Sequence, residues 1–315
     1  MSVERPEVLV VAPVMPFLMD ALRGAVTVHD RLHLNDPAAF AAAAPRIRAV
    51  VATGESKVPA ELIARLPALE MITVFGVGYD GVDVAAARAR GIPVTHTPGV
   101  LNDDVADLAL GLLISAARRI PQADRFVRGG EWLKGPIPVA RKVAGSRLGV
   151  VGMGRIGQAI AQRALAFRMD VAYTARSPRE SLPYTYHPDA AALAAAVDFL
   201  VVITPGGAAT RGLIDAKVLQ ALGPQGYLVN VARGSVVDQP ALIAALQAGT
   251  IAGAALDVFA DEPNVPAELL AMDNVVLTPH IGSGTKQTRE AMAQLTFDNL
   301  RAHFAGEPLL TPVPA

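Results

Sequence analysis

A chain of 315 residues with a formal net charge of −1 has room for two domains and no field that would select nucleic acid or acidic lipid. The absence of cysteine excludes disulfides, thiolate metal sites and cysteine nucleophiles. The start lacks a basic-then-apolar layout, and the apolar run at 105–117 is too short for a bilayer and contains Asp107, so the sequence predicts a soluble cytoplasmic protein.

Val8-Leu-Val-Val-Ala is apolar throughout, as expected of a strand in a parallel sheet covered on both faces. Similar runs recur at 49–53, 71–76 and 92–95, with helix-competent segments at 59–66 and 83–90, the latter closed by Gly91. This alternation implies one open parallel sheet. Thr97-Pro98-Gly99 interrupts it, and Asn102-Asp103-Asp104 opens a helix running to about residue 119. Acidic residues in its first turn and Arg118-Arg119 in its last complement the helix dipole. Residues 125–143, with Gly129-Gly130, Trp132, Pro136 and Pro138, read as an irregular connection whose length marks it as functional or as part of an interface.

A second series begins with a strand at 148–151 that enters Gly152-x-Gly154-x-x-Gly157 and then a helix to about residue 167. Gly152 permits the tight turn, Gly154 lets the backbone approach a pyrophosphate, and Gly157 lets helix and strand pack closely. Strands at 170–175, 199–204, 227–232, 251–258 and 275–278, with helices at 190–196, 215–222 and 239–247, complete a doubly wound nucleotide domain. The last helix, about 285–304, has no strand left to feed and packs back on the first lobe. The predicted fold class is α/β: two Rossmann/flavodoxin-like doubly wound parallel-sheet domains with an interdomain cleft. The substrate-binding domain spans 1–98 plus 284–315, and the dinucleotide-binding domain 99–283.

Ligands of open α/β sheets bind beyond the carboxyl ends of the strands. In the second lobe that rule selects Arg176, Thr204, Arg233, Asp257, Glu262 and His280. Arg233 follows a buried strand, where its planar fork suits a carboxylate; the alternative is an arginine snorkelling to solvent. His280 ends another strand. The remaining histidines, His29, His33, His96, His187 and His303, read as structural or terminal. A carboxylate beside an imidazole fixes the ring and favours its protonated form, which makes a proton donor near neutral pH. Glu262 and Asp261 compete for that place. With a nicotinamide cofactor these groups specify hydride delivery to a carbonyl carbon while His280 protonates the oxygen and Arg233 orients a 2-oxo acid.

The strand after the glycines ends Tyr173-Thr174-Ala175-Arg176-Ser177-Pro178-Arg179. An NAD site wants an acid about 20 residues past the glycines, and Ala175 stands there instead. Without that carboxylate a 2′-phosphate meets no repulsion, and Arg176, Ser177 and Arg179 can bind it. The expected cofactor is NADP(H), with NAD(H) possible. Metal-dependent chemistry lacks a ligand cluster, and serine hydrolysis lacks a nucleophile elbow.

Over essentially its whole length the chain resembles the D-isomer-specific 2-hydroxyacid dehydrogenases, and among them the NADPH-using glyoxylate/hydroxypyruvate reductases. The motifs are Phe75-Gly-Val-Gly-Tyr-Asp, Val105-Ala-Asp-Leu-Ala, Gly152-Met-Gly-Arg-Ile-Gly, Asn230-Val-Ala-Arg-Gly, Ala255-Leu-Asp-Val-Phe with Glu262-Pro, and Pro279-His-Ile-Gly-Ser. The resemblance implies catalytic roles for Arg233, Glu262 and His280, favouring Glu262 over Asp261. It implies carboxylate-binding amides at Val77 and Gly78, a pocket serine at Ser283, and Asp257 on the nicotinamide amide. It adds Val105, Arg155, Ile156, Thr204, Pro205, Val231, Ala232 and Gly282 to the cofactor contacts. Trp132 falls on a dimerisation arm, where it either reaches the partner's pocket or packs the interface, so a homodimer is expected. Reduction of bulkier aryl pyruvates, and a non-catalytic NAD(P)-sensing regulator, are the competing readings.

Overall fold

The computed structural model describes residues 5–314. The chain divides into two compact units, Met1–Leu101 with Thr285–Ala315, and Asn102–Gly284. In the first unit Glu7–Val10 (β1), Thr27–Asp30 (β2), Ile47–Thr53 (β3), Met71–Phe75 (β4) and Val94–Thr95 (β5) form a parallel sheet in the order β2-β1-β3-β4-β5. This is the flavodoxin-like strand order. Its inner strands are β-branched and apolar because helices cover both faces, and Val50, Val51, Ile72 and Val74 are wholly buried.

The helix Lys286–Ala305 belongs to this first unit. Thr285 caps its start by accepting the Thr288 N–H, and Gly306, at φ 70°, ends it in the left-handed conformation. It packs on β4 and on the helix Pro16–Ala25. After it the chain returns to the sheet, where Pro312 bridges Thr95 antiparallel at the β5 edge. Asn299, buried on the helix, fixes that return: its side-chain oxygen accepts the Leu310 and Thr311 amides at 3.1 Å each, and its NH2 donates to the Thr311 hydroxyl at 2.8 Å.

The second unit contains Arg147–Val151 (β6), Asp170–Thr174 (β7), Thr185–Tyr186 (β8), Phe199–Val202 (β9), Tyr227–Asn230 (β10), Gly253–Leu256 (β11) and Val275–Leu277 (β12). They form one parallel sheet in the order β12-β11-β10-β9-β6-β7-β8. Counted from β6, this is the dinucleotide-fold order 3-2-1-4-5-6 extended by one strand, with its switch point between β6 and β9. Helices at Ala190–Ala196, Ala216–Leu222 and Gln239–Gln247 each begin on an aspartate, Asp189, Asp215 and Asp238, that accepts a first-turn amide. The helix Asn102–Ala117 lies against the helix Arg155–Ala166 and is tied to it by Arg163, which bonds both Asp103 and Asp107. Among the described residues no helix is long and apolar enough to cross a membrane.

The structure departs from the sequence reading at several elements. The strands β2 and β8 were not expected. Both lie at sheet edges, where one face of pairing is missing and the residues carry the mixed polarity of Thr-Val-His-Asp and Thr-Tyr. Helices at Pro16–Ala25, Leu32–Asn35 and Pro37–Ala43 fill the first β–β connections. The stretch expected to be irregular from residue 125 instead opens inside a helix, Ile120–Arg128, followed by a 3-10 turn at Glu131–Lys134. Arg119, at φ 54°, breaks the preceding helix two residues early.

Asp198, at the foot of β9, ties the second sheet together. Its carboxylate accepts from the Arg147 backbone N–H at 2.9 Å, from the Arg147 guanidinium at 2.9 and 3.2 Å, and from Arg141 at 3.0 Å. The Arg147 side chain, helped by its backbone amide and by the charge of Arg141, holds the Asp198 carboxyl below its ordinary value against an opposing burial effect. A carboxylate whose folded value is depressed adds stability above its unfolded value and loses it as pH falls through the folded one. Asp198→Asn should therefore cost about 1–2 kcal/mol at neutral pH. Urea midpoints measured across pH should show the gap to wild type closing below roughly pH 4.

Candidate active site

The switch point is built from glycines. The chain leaves β6 through Gly152 at φ 104°, where a β-carbon would sit 2.8 Å from the Thr204 nitrogen just beyond β9. A β-carbon on Gly157 would run into the Gly152 carbonyl oxygen, so only glycine lets this helix turn rest on the strand end. Gly154 is the N-cap of Arg155–Ala166; no side chain caps that helix, and the space beside Gly154 is open. An uncapped helix start with an open glycine beside it is a cradle for phosphate, so the residues present fit a dinucleotide. Arg155 and Ile156 form the first turn. Thr204 and Pro205 follow β9, and Val231 and Ala232, both buried, follow β10. Beyond β7, Arg176, Ser177 and Arg179 are exposed, with Ala175 in the position where an acid would repel a 2′-phosphate.

The ends of β10, β11 and β12 carry the polar side chains. Glu262 receives the Phe259 N–H on Oε1 at 2.9 Å, and its Oε2 lies 2.8 Å from His280 Nδ1. Both side chains are partly buried. His280 itself sits at φ 52°. Its turn is held by Asp257, which is 1% exposed: Oδ1 accepts the Thr278 hydroxyl at 2.6 Å and the Ile281 N–H at 2.8 Å, and Oδ2 accepts the Gly282 N–H at 2.8 Å. Burial pushes the Asp257 carboxyl above its ordinary value, opposed by the bonds from Thr278, Ile281 and Gly282 and by the charge of His280. Val105, on the helix Asn102–Ala117, packs over Gly282, where a β-carbon would be 3.4 Å from Val105 Cγ2. Ser283 is the next residue in this turn.

Arg233 stands on a loop with two supports. Asn230, buried at the end of β10, accepts the Ala232 N–H at 3.1 Å and donates to the Arg233 carbonyl at 3.0 Å. Gly234 lies so close to the Phe259–Ala260 backbone that a β-carbon would collide with it, which brings the Arg233 loop against the segment leading to Glu262. Arg233 Nη1 donates to the Ala232 carbonyl at 2.8 Å. The second unit thus gathers Arg233, Glu262, His280 and Asp257 at the same sheet edge as the glycine cradle.

In the first unit Val77 and Gly78 follow β4, again beyond a strand's carboxyl end. His96, read from the sequence as structural, places Nδ1 2.9 Å from the Val77 carbonyl, and the Thr97 N–H donates to the Gly76 carbonyl at 2.9 Å, so both residues shape this loop. Trp132 is 68% exposed in the turn Glu131–Lys134. The structural reading of His96 fits this contact; the supporting role of Asn230 was missed, its only sequence signal a polar side chain at a strand end. Asn230→Ala removes two hydrogen bonds from a buried site and should lower stability by about 1–3 kcal/mol. Calorimetric unfolding is the check, and an unchanged midpoint would show that the loop does not depend on this amide.

A family model described as D-isomer specific 2-hydroxyacid dehydrogenase, NAD binding domain, matches residues 110–282. A hydroxyphenylpyruvate reductase of Plectranthus scutellarioides is 48% identical over 270 residues, 86% of each chain. A glyoxylate/hydroxypyruvate reductase of Arabidopsis thaliana is 48% identical over 85% of each. Among solved structures, the NADPH-dependent glyoxylate/hydroxypyruvate reductase of Sinorhizobium meliloti, in complex with NADP and malonate, superposes with a TM-score of 0.93 at 46% identity, covering 98% of this chain and 97% of that one. The chain belongs to the D-isomer-specific 2-hydroxyacid dehydrogenase family.

Proposed function

We propose that this protein is an NADPH-dependent reductase of small 2-oxo acids, glyoxylate and hydroxypyruvate first among them, yielding 2-hydroxy acids of D configuration wherever the new carbinol carbon is stereogenic. The observation that carries the reading is the 2.8 Å contact between His280 and Glu262 on the edge of the sheet that also bears the glycine cradle. When bound, the nicotinamide supplies hydride to the substrate's carbonyl carbon. The chain's own residues do the rest. Glu262 takes Nδ1 and so leaves Nε2 to give a proton to the carbonyl oxygen. Arg233 grips the substrate carboxylate and polarises the neighbouring carbonyl, and the family resemblance assigns Val77, Gly78 and Ser283 to substrate binding. Gly152, Gly154, Arg155, Ile156 and Gly157 take the pyrophosphate. Val105, Thr204, Pro205, Val231, Ala232, Asp257 and Gly282 surround the rest of the cofactor, and Arg176, Ser177 and Arg179 take the 2′-phosphate.

A second reading, reduction of bulkier aryl pyruvates, is favoured by the similarity to the Plectranthus hydroxyphenylpyruvate reductase. Oxidation of NADPH and NADH with a panel containing glyoxylate, hydroxypyruvate, 2-ketogluconate and hydroxyphenylpyruvate separates the two. Turnover with none would leave only a sensing role.

The arm at 120–139 carries Ile120, Val127, Trp132, Leu133 and Val139, of which Leu133 and Val139 are 95% and 99% exposed. Large apolar side chains clustered on one solvent-facing segment mark a protein interface. They support a homodimer formed through this arm, with Trp132 in the interface. A cysteine-free chain consuming NADPH is consistent with the cytoplasm.

His280→Gln should lower kcat by roughly 10²–10⁴-fold, the usual contribution of a general acid, while cofactor affinity is largely kept. Steady-state kinetics with separate cofactor titration reads this, and a near-normal rate would remove His280 as proton donor. Arg176→Ala should raise the KM for NADPH about 10–100-fold, the worth of a charge-assisted bond to phosphate, with a much smaller change for NADH. Equal changes in both would refute the phosphate assignment.

A further inference from the structure

The strand that leads into the proposed phosphate loop contains a tyrosine whose hydroxyl the loop is built around. Tyr173, in β7, is 1% exposed. Its hydroxyl oxygen nevertheless reaches the surface segment, accepting the Arg179 N–H at 2.7 Å and donating toward the Arg179 carbonyl at 3.5 Å. The edge strand β8 pairs with β7 so that Tyr186 stands opposite Tyr173 in register, their rings meeting edge to face with centroids 5.5 Å apart. The Tyr186 hydroxyl donates to the Ala175 carbonyl at 3.4 Å. The arc from Ala175 to Arg179 is thus held at its first residue by one phenol and at its last by the other. Arg176, Ser177 and Pro178 are exposed between those two posts.

This arrangement matters because a loop carrying two arginines gains little from gathering them on one phosphate unless its backbone is already close to the bound shape. Ordering a free residue costs about 1–2 kcal/mol, comparable with a charge-assisted bond. A loop fixed at both ends has met most of that cost before binding. A phenol suits the task, since one oxygen both accepts the Arg179 N–H and donates onward. Phenylalanine would fill the same buried space and do neither.

We propose that Tyr173 is a positioning residue for cofactor discrimination: its hydroxyl, with that of Tyr186 as second post, holds residues 175–179 in the shape that receives a 2′-phosphate. The inference rests on the NADPH reading above and extends it to two residues that act through the backbone of the loop.

The test is calorimetric titration of the full-length protein with 2′,5′-ADP and with 5′-AMP, which differ only in the 2′-phosphate. Tyr173→Phe should weaken 2′,5′-ADP roughly three- to tenfold, the worth of a lost hydrogen bond. The Kd for 5′-AMP should move less than twofold. Tyr186→Phe should act in the same direction and more weakly, in keeping with its longer bond. Equal weakening of both ligands would make Tyr173 a structural residue only and overturn the proposal, as would no change in either. If wild-type protein binds the two ligands equally, the NADPH reading falls, and this inference with it. If wild type discriminates and the phenylalanine variants discriminate as well as it does, the inference alone fails.

Discussion

The carboxylate of Asp257 has almost no access to water, and the turn in front of it supplies the hydrogen bonds that water would have made. Burial favours its neutral form, so the charged form is kept only to the degree that Thr278, Ile281 and Gly282 keep donating to it. The same donors fix the backbone on either side of His280, whose φ of 52° costs about 1–2 kcal/mol for a residue with a β-carbon. Hydrogen bonds to a charged acceptor contribute roughly 1.5–3 kcal/mol each, and three of them outweigh that strain. The imidazole is therefore aimed by its backbone before Glu262 touches it. The Glu262 contact at Nδ1 then sets the ring's rotation and tautomer. Asp257 therefore supports the proposed proton donor, and its proposed contact with the cofactor would fall on the same buried group.

Strand order turns sequence into a layout along one sheet edge. Reading from β12 through β11, β10, β9 and β6 to β7 gives His280, Asp257 with Glu262, Arg233, Thr204, Gly152 and then Arg176. From β11 to β7 is four strand spacings, roughly 19 Å at about 4.8 Å each, the scale on which an extended dinucleotide must be held at both ends. The chain reverses its winding between β6 and β9, and there the backbone is pared to glycine. Gly152 comes within reach of Thr204, and Gly157 rests on Gly152. Gly234 does the same work one strand pair further along, letting the Arg233 loop meet the Phe259 backbone. Each of these close approaches joins a loop that bears a proposed functional side chain to its neighbour.

Much of this was legible in the sequence because both sheets are parallel and covered. Buried strands such as Phe199–Val202 are continuous apolar runs, and the rule that ligands lie beyond strand ends then shortlists Arg176, Thr204, Arg233, Asp257, Glu262 and His280, with the resemblance needed to choose Glu262 over Asp261. The elements that escaped are those burial does not mark. The strands β2 and β8 are edges with a single neighbour, so their residues need not be apolar. The helix Ile120–Arg128 is amphipathic, with Ile120, Ala123 and Val127 on one face, but it buries no residue, and its Gly129-Gly130 end and the prolines beyond read as a loop. In the site, the missed contributions are those made through backbone groups. Asn230 grips the Arg233 loop, and Asp257 collects amides. Each depends on how close two distant segments come, which residue type alone does not encode.

The layout also separates two properties that selection can tune independently. The loop after β7 hangs from one flank of the sheet and contains the Arg176, Ser177 and Arg179 cluster, supported by Tyr173 and Tyr186 from below. The turn after β12 hangs near the other flank and is supported by Asp257. No hydrogen bond among the described residues links the two supports, and four strands lie between their anchoring strands β7 and β12. Effects at sites so far apart, without shared partners, add with little coupling. If the proposed roles hold, a change of cofactor preference needs alterations only around β7 and β8, while the turn that carries His280 stays with the buried carboxylate at β11.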